Sequence, residues 1–591
     1  MHILLAASAF NSLTQRVHAE LRDRGHSVAV ELVLPDGRLA EAVDRHRPDL
    51  VIAPMLKTAI PREVWSRHVC LVVHPGPVGD RGPSSLDRAV AEGADTWGVT
   101  VLQADAEMDA GPVWATADCV LPPVAKSDAY RGEVSDAALT AVLRAVDRFA
   151  SGTHVPEPQT SGRALPYLRQ EERRIDWAHD STDRVVRTLR AADSQPGVLD
   201  DLLGGQWYLH GGHPEDGLRG RPGELLATRA GAICRATADG AVWIPELRAR
   251  RTPGEPAPVK LPATLALAGR LPALPEIPAP PDTGTGAGPR TWSDIRYRED
   301  GEAGFLSFSF PGGAMSTEHC RRLLAAYREA CSRPTSVLVL GGGRDFFSNG
   351  IHLGVIEAAA DPAEESWANI NAMDDLVEAV LTTTDRLVVA AVGGNAAAGG
   401  AMLALAADEV WLRSGAVLNP HYRLMGLHGS EYWTYTLPRR TGTGVAQRLT
   451  SEALPVGSEA ARRLGLADRT IDCTPQAFAD ETARLAVRLA DWPGTRSRIA
   501  GKKARREVDE TLRPLASHRA TELARMREAF FDPQAPYHAL RRAFVRKETP
   551  AGTPPHLARP ARGRRTAADP GQRPGFTAPA QSDRAGGPAG C

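Results

Sequence analysis

Two regions of the chain carry residues suited to moving an acyl group. In CLVVHPGPVGDRGPSSLDRAV (70–90), His74 closes an apolar run and a glycine-rich loop follows. In WGVTVLQADAEMDAGPVW (97–114), Asp109 comes after a second apolar run. A histidine at a strand end can donate to the oxygen of a tetrahedral adduct. A carboxylate nearby can orient it and take the nucleophile's proton. Much later, VGGNAAAGGAMLALAADEV (392–410) places paired glycines where a helical pattern begins. Backbone N–H groups and the partial positive charge of a helix start favour a developing oxyanion there. NPHYRLMGLHGSEYW (419–433) adds His421, Tyr422, His428 and Glu431, a set of proton donors and acceptors.

Regular elements must hold these groups. HILLAAS, VAVELVL and DLVIAP read as strands, with SLTQRVHAELRDRG and RLAEAVDRHRP as helices between them. That βαβαβ order predicts a mostly parallel sheet with helices on both faces over 1–165. Residues 166–265 begin with the helix DSTDRVVRTLRAA and continue in short segments broken by glycines, which predicts a small β-barrel-like domain. Residues 266–294 are rich in Pro and Gly and are expected to form an extended linker. A second α/β unit is expected over 295–547. Its strands are AGFLSFSF, TSVLVLGG and RLVVAAVGG, STEHCRRLLAAYREACS is a capped helix, and charged helices follow from 475. The tail, 548–591, is rich in Pro, Gly, Ala and Arg and is expected to be disordered.

Composition excludes several function classes. At ~150 residues per domain, 591 residues predict three or four domains. A net charge of −1 gives no whole-chain attraction to nucleic acid or to an anionic membrane. No apolar stretch approaches the ~18 residues of a membrane span. The opening MHILLAASAF has no basic n-region and reads as a buried strand, not a signal peptide. Seven scattered cysteines without C-x-x-C fit a reducing cytoplasm and predict no metal site.

The first region resembles the folate-dependent formyltransferases that act on methionyl-tRNA or glycinamide ribotide. His74-Pro75, Arg81-Gly82, Gly98-Val99-Thr100 and Asp109-Ala110-Gly111-Pro112 match that family's pattern in order and spacing. RRIDW and GELLATRAGAICRATADGAVWIPEL resemble its C-terminal barrel. The resemblance implies 10-formyl-tetrahydrofolate as formyl donor, with His74 and Asp109 as the catalytic pair. One departure matters: the family's asparagine, two residues before the histidine, is Val72 here. Either another group supplies the missing amide or the acceptor differs. A thiol would suit, because a thiolate needs less deprotonation help than an amine. Gln15, Arg131 and Ser194 are candidates for holding the folate tail or a coenzyme A phosphate.

The second region resembles the crotonase, or enoyl-CoA hydratase, family. GGGRDFFSNGIHLG (341–354), the paired-glycine segment and GSEAARRLGLADRTID (457–472) carry the likeness. It implies a coenzyme A thioester ligand and an oxyanion hole made by the N–H groups of Ile351 and Gly399. Hydratases of this family use two glutamates. The first place holds Met402, and counting without gaps from Asp408 the second falls at Tyr422. Hydration is therefore not expected. Tyr422 and Glu431 fall where this fold keeps catalytic side chains, with His421 and His428 nearby.

The two halves in this order, with GSEYWTY, resemble the hydrogenase maturation proteins of the HypX/HoxX family over all but the tail. That resemblance implies an α/β multidomain enzyme with two steps. Formyl moves from 10-formyl-tetrahydrofolate to coenzyme A, and formyl-CoA is then decarbonylated to carbon monoxide and coenzyme A. Glu431 would be the base and Tyr422 the proton donor. The carbon monoxide would become an iron ligand in [NiFe]-hydrogenase, with its iron-ligand assembly machinery as partner. Two other readings stand beside it. One is a formyltransferase acting on an amine with the crotonase unit as scaffold. The other is a non-enzymatic folate- and CoA-binding assembly factor, against which the retention of His74 and Asp109 speaks.

Overall fold

The computed structural model describes residues 1–33, 39–279, 289–548 and 552–558. Strands His2–Ala7, Ser27–Leu32, Leu50–Met55 and Cys70–His74 pair in parallel, and Ser27–Leu32 is an edge of the sheet. Strand alternation sorts their side chains. Ile3 and Leu5 pack with Leu13 and Val17 of the helix Ser12–Asp23 and with the helix Ser135–Ser151, while Leu4 and Ala6 pack with Leu39 and Val43 on the other face. The sheet is less parallel than expected. Thr96–Gln103 and Val113–Val120 complete it antiparallel: after the helix Ser85–Glu92 the chain returns beside Cys70–His74 in the opposite sense, and the last strand doubles back on Thr96–Gln103.

Two four-stranded antiparallel sheets follow. Leu209, Ile233, Val242, Ile244 and Leu247 fill the space between them with Val185 and Leu189 of the helix Thr182–Ala192. The Pro/Gly-rich stretch after this unit is not a free tether where it is described. Thr228 N–H donates to Pro275 O and Ile277 N–H to Thr228 O, both at 2.9 Å. Trp292 is buried beside Trp243. Residues 280–288 lie outside the described residues.

The second α/β unit holds a six-stranded sheet, parallel after its first hairpin, from Ile295–Asp300 to Arg469–Ile471. Phe346–Ser348, Asn395–Ala397 and Leu418–Asn419 make a smaller parallel sheet. The three candidate segments of this half all leave that small sheet. The expected capped helix is Thr317–Ser332, with Ser316 Oγ accepting from His319 N–H at 3.2 Å. The helix Leu515–Phe531 packs on Pro362–Thr382.

Ion pairs join the halves across the segment 126–136. Arg131 lies 2.9 Å from Asp345, Arg413 3.0 Å from Asp136, and Arg344 pairs with Asp128 and Glu133. Part of the tail is ordered, contrary to expectation. Thr553 Oγ1 accepts the Leu32 N–H at 2.8 Å, and Leu557 is buried in the core of the first sheet. One apolar side chain and one hydroxyl suffice to dock a segment that its composition alone marks as solvated. Residues 549–551 and 559–591 lie outside the described residues.

Candidate active sites

His74 ends its strand opposite Thr100. The turn beyond is tied down at its first two carbonyls. Pro75 O accepts from Ser85 Oγ at 3.0 Å and Trp97 Nε1 at 2.8 Å, and Gly76 O accepts from Thr100 Oγ1 at 2.8 Å. A Cβ on Gly76 would lie 2.6 Å from His74 Nε2, so only glycine lets the turn cross the ring this closely. The imidazole is buried with a carboxylate on each side. Nε2 lies 2.8 Å from Asp80 Oδ2, and Nδ1 lies 3.6 Å from Asp109 Oδ2. The first is a hydrogen bond and the second an ion-pair distance, open enough to admit a reacting atom. With a proton on each ring nitrogen, Nε2–H donates to Asp80 and Nδ1–H is presented on the Asp109 side.

Asp109 is held firmly. Its φ is 58°, its Oδ2 accepts the Gly82 N–H at 3.1 Å, and Gln159 Nε2 donates to its carbonyl at 3.0 Å. Asp80 was not singled out in the sequence, where an acidic residue between two glycines reads as a turn former. Burial would raise its carboxyl, but the hydrogen bond and charge of His74 prevail and hold it below the usual range. Val72 shares the strand face of His74 and packs in an apolar cluster with Ala53 and Cys70, so the family asparagine's place is apolar surface.

Arg131 lies within the segment 126–134, and the stretches that hold Gln15 and Ser194 are tied to it through Asn11 and Asp193. Gln15 Nε2 donates to Phe10 O at 2.9 Å, at the start of a helix whose cap, Asn11, reaches Tyr130 Oη. Arg131 pairs with Asp345 and covers the Phe346 ring. Ser194, at φ 67°, follows Asp193, which accepts from Ser127.

In the second half the two expected hole segments touch. A Cβ on Gly350 would lie 3.0 Å from Gly399 N. Gly399 begins the helix Gly399–Leu405, so its N–H has no acceptor within that helix. Ile351 follows Gly350 on the same turn, and among the described residues neither of these two N–H groups donates to a protein acceptor.

Glu431 faces this corner. A Cβ on Gly399 would collide with its Oε1. Its Oε2 is occupied, accepting from Tyr422 Oη at 2.7 Å and Ser430 N–H at 3.0 Å. One carboxylate oxygen is thus anchored and the other is turned to Gly399. Burial pushes the Glu431 carboxyl up to about 7, against the pull of the Tyr422 and Ser430 hydrogen bonds. Burial, then the Glu431 charge, holds the Tyr422 phenol well above its ordinary value. Met402 is fully buried in the core, near Thr436 Oγ1. His421 and His428 are not hydrogen-bonded to the Tyr422–Glu431 pair. Burial and His556 push His421 down to about 4, and His428 packs against the Trp433 ring.

Comparison with known proteins agrees with this division. The family model described as "Formyl transferase" matches residues 33–146, and "Formyl transferase, C-terminal domain" matches 167–255. "Enoyl-CoA hydratase/isomerase" matches 312–545. A methionyl-tRNA formyltransferase of Roseiflexus castenholzii is 32% identical over 27% of this chain and 52% of its own. The hydrogenase maturation factor HoxX of Bradyrhizobium diazoefficiens is 49% identical over 94% of this chain and 97% of its own. The chain belongs to the HoxX/HypX family of hydrogenase maturation factors. HypX from Aquifex aeolicus, solved in complex with tetrahydrofolic acid, is 42% identical with a TM-score of 0.90, over 96% of this chain and 99% of its own.

HoxX/HypX membership accounts for a formyltransferase and a crotonase-type unit in one chain. It does not by itself identify the residues behind Glu431. Asp374 and Glu522 are fully buried, and both accept hydrogen bonds from the turn that carries Glu431. Neither was singled out in the sequence. A signal was present: Asp374 lies beside Met373 and Val377 on one helix, and Glu522 lies four residues before Met526, so both carboxylates occupy core spacing. A charged group at such a position is buried only with partners.

Proposed function

We propose that this chain makes carbon monoxide in two steps. In the first, coenzyme A sulfur attacks the formyl carbon of 10-formyl-tetrahydrofolate. Asp109 takes the thiol proton, and His74 donates to the oxyanion. The C–N10 bond then breaks, the proton held by Asp109 passes to N10, and tetrahydrofolate and formyl-CoA are released. An apolar Val72 in the asparagine's place agrees with a thiol acceptor. In the second step the formyl oxygen rests on the N–H groups of Ile351 and Gly399. Glu431 removes the formyl hydrogen as a proton, and the C–H electron pair becomes the carbon lone pair of carbon monoxide. The C–S pair leaves with sulfur, which takes a proton from Tyr422. Atoms and charge balance with no oxidant or reductant.

One observation carries this reading: a lone carboxylate oxygen faces the oxyanion hole while its partner oxygen is held by a phenol. Formyl-CoA has no α-carbon, so no enolate forms and no double bond exists to hydrate. A second glutamate at position 402 would have no proton to move. A Glu431 near neutrality is matched to accept a proton at the pH of the cell.

The test uses purified protein, 10-formyl-tetrahydrofolate and coenzyme A, with carbon monoxide trapped on reduced haemoglobin. Glu431→Gln should stop carbon monoxide release but not tetrahydrofolate release, and formyl-CoA should accumulate by mass spectrometry. Tyr422→Phe should lose less, since water can protonate the thiolate. Carbon monoxide at the wild-type rate from Glu431→Gln would remove Glu431 from the mechanism.

A further inference from the structure

The turn carrying Glu431 is built by two carboxylates from other helices. Glu431 and Tyr432 both stand at positive φ, 59° and 58°. Their amides, and that of Thr434, end on Asp374 and Glu522. Glu431 N–H donates to Asp374 Oδ1 at 2.8 Å, Tyr432 N–H to Glu522 Oε2 at 2.9 Å, and Thr434 N–H to Glu522 Oε1 at 2.8 Å. Ser430 Oγ donates to Asp374 Oδ2 at 2.8 Å and lies 3.4 Å from Glu522 Oε2. Thr434 Oγ1 adds a bond to Glu522 Oε1 at 2.5 Å. The helix Trp433–Thr441 starts here, so Glu522 receives amides that have no partner within their own helix.

We infer that Asp374 and Glu522 are positioning residues for Glu431: they hold the turn that aims its free oxygen at Gly399, and as acids crowded into one buried site with it they make it hold a proton more tightly. The inference rests on Glu431 being the base of the second step.

The charges around Glu431 favour this. Tyr422 hydrogen-bonds it from the turn Tyr422–Met425, and His428 lies on its own loop. Asp374, Asp375 and Glu378 come from Pro362–Thr382, Cys320 from Thr317–Ser332, and His518, Arg519 and Glu522 from Leu515–Phe531. Met402, from the glycine helix, is apolar. Arg519 is cationic, but it lies 3.8 Å from Asp374 and is drawn to Asp375 and Glu378 at 2.7 and 3.0 Å. His518 is occupied with Thr434 Oγ1 at 2.9 Å, and burial holds it below its ordinary value. Acidic side chains therefore outnumber cations at the carboxylate cluster. Like charges sharing a site make each group hold its proton more tightly.

The experiment supplies formyl-CoA to the full-length chain and follows carbon monoxide release against pH. In Glu522→Gln the acidic limb should move down by roughly one pH unit, and the plateau rate should fall about tenfold as the aim loosens. Asp374→Asn should behave alike. Glu522→Asp should restore the limb but not the plateau, because it returns charge without reach. Tetrahydrofolate release should stay at the wild-type rate in all three. A purely architectural role would lower the rate at every pH and leave the limb in place, and that result overturns the inference. The Glu431 carboxyl infrared band, assigned by difference against Glu431→Gln, reads its protonation without turnover. If the wild type makes no carbon monoxide from formyl-CoA, the proposed base falls. The infrared titration then still decides whether Asp374 and Glu522 tune this carboxyl: the same midpoint in wild type and variants overturns it.

Discussion

A histidine with a carboxylate beside each ring nitrogen can lose one and keep its orientation from the other. At the residue scale this separates the roles of Asp80 and Asp109. His74→Ala or Asp109→Ala should cut tetrahydrofolate release by ~10²–10⁴-fold, the usual cost of a positioned proton-transfer group. Asp80→Asn keeps a polar partner at 2.8 Å and should cost less, about 10-fold. All three should leave decarbonylation of supplied formyl-CoA intact. Equal losses in Asp80→Asn and Asp109→Ala would mean that orientation, not proton acceptance, limits the step. Met402 permits a second check. Met402→Glu puts a carboxylate into a fully buried core position, so a lower melting temperature and no crotonyl-CoA hydration are expected. Appreciable hydration would show that the second glutamate's place is wrongly read. The proximity of His74 to Asp109, and of Tyr422 to Glu431, was legible because each pair lies in motifs whose spacing resembles a known family. Asp80 sits in the same motif and was missed, since its type suits a turn as well as a hydrogen bond.

At the scale of elements, three helices and one turn enclose Asp374, Glu431 and Glu522. Burial pushes Glu431 and Glu522 each up to about 7, and burial with the other two carboxylates raises Asp374 well above its range. The sign follows directly. In the unfolded chain these groups titrate near 4, so the folded state binds more protons than the unfolded one between about 4 and 7. Their contribution is fully present below the unfolded value and is lost as pH rises through the folded one. Denaturant unfolding of wild type and Glu522→Gln across that window should show the wild type losing stability relative to the variant as pH rises. A constant difference would mean that Glu522 is not titrating with the fold. Strands and helices were legible from period and caps, as with Ser316 before Thr317–Ser332. What was not legible depends on distant partners. The last two strands of the first sheet turned antiparallel through connections, not through their own sequence. Asp374 and Glu522 meet across helices separated by 148 positions, as Arg519 and Asn371 are.

At the scale of the whole molecule, two families were readable as two units, but the seam between them was not. Arg131 was read as a candidate for holding the folate tail or a coenzyme A phosphate, and its pairing with Asp345 of the other half had no signal in the sequence. The tail was read as solvated throughout, yet Leu557 enters the first core. Leu557→Ala should cost about 2–4 kcal/mol. Ending the chain at Glu548 should speed amide exchange in Ser27–Leu32, read by hydrogen–deuterium exchange with mass spectrometry. Unchanged exchange there would mean that the docked segment adds nothing to that edge. The same contact has a meaning in time. Thr553 and Leu557 leave the ribosome more than five hundred residues after Leu32, the strand end they cover. At ~5–20 residues per second, that edge waits roughly half a minute to two minutes for its cover. An unpaired strand edge invites another chain to pair with it. Newly made protein therefore passes through an interval of exposure that the finished molecule never repeats, and its yield in a cell depends on what shields that edge during synthesis.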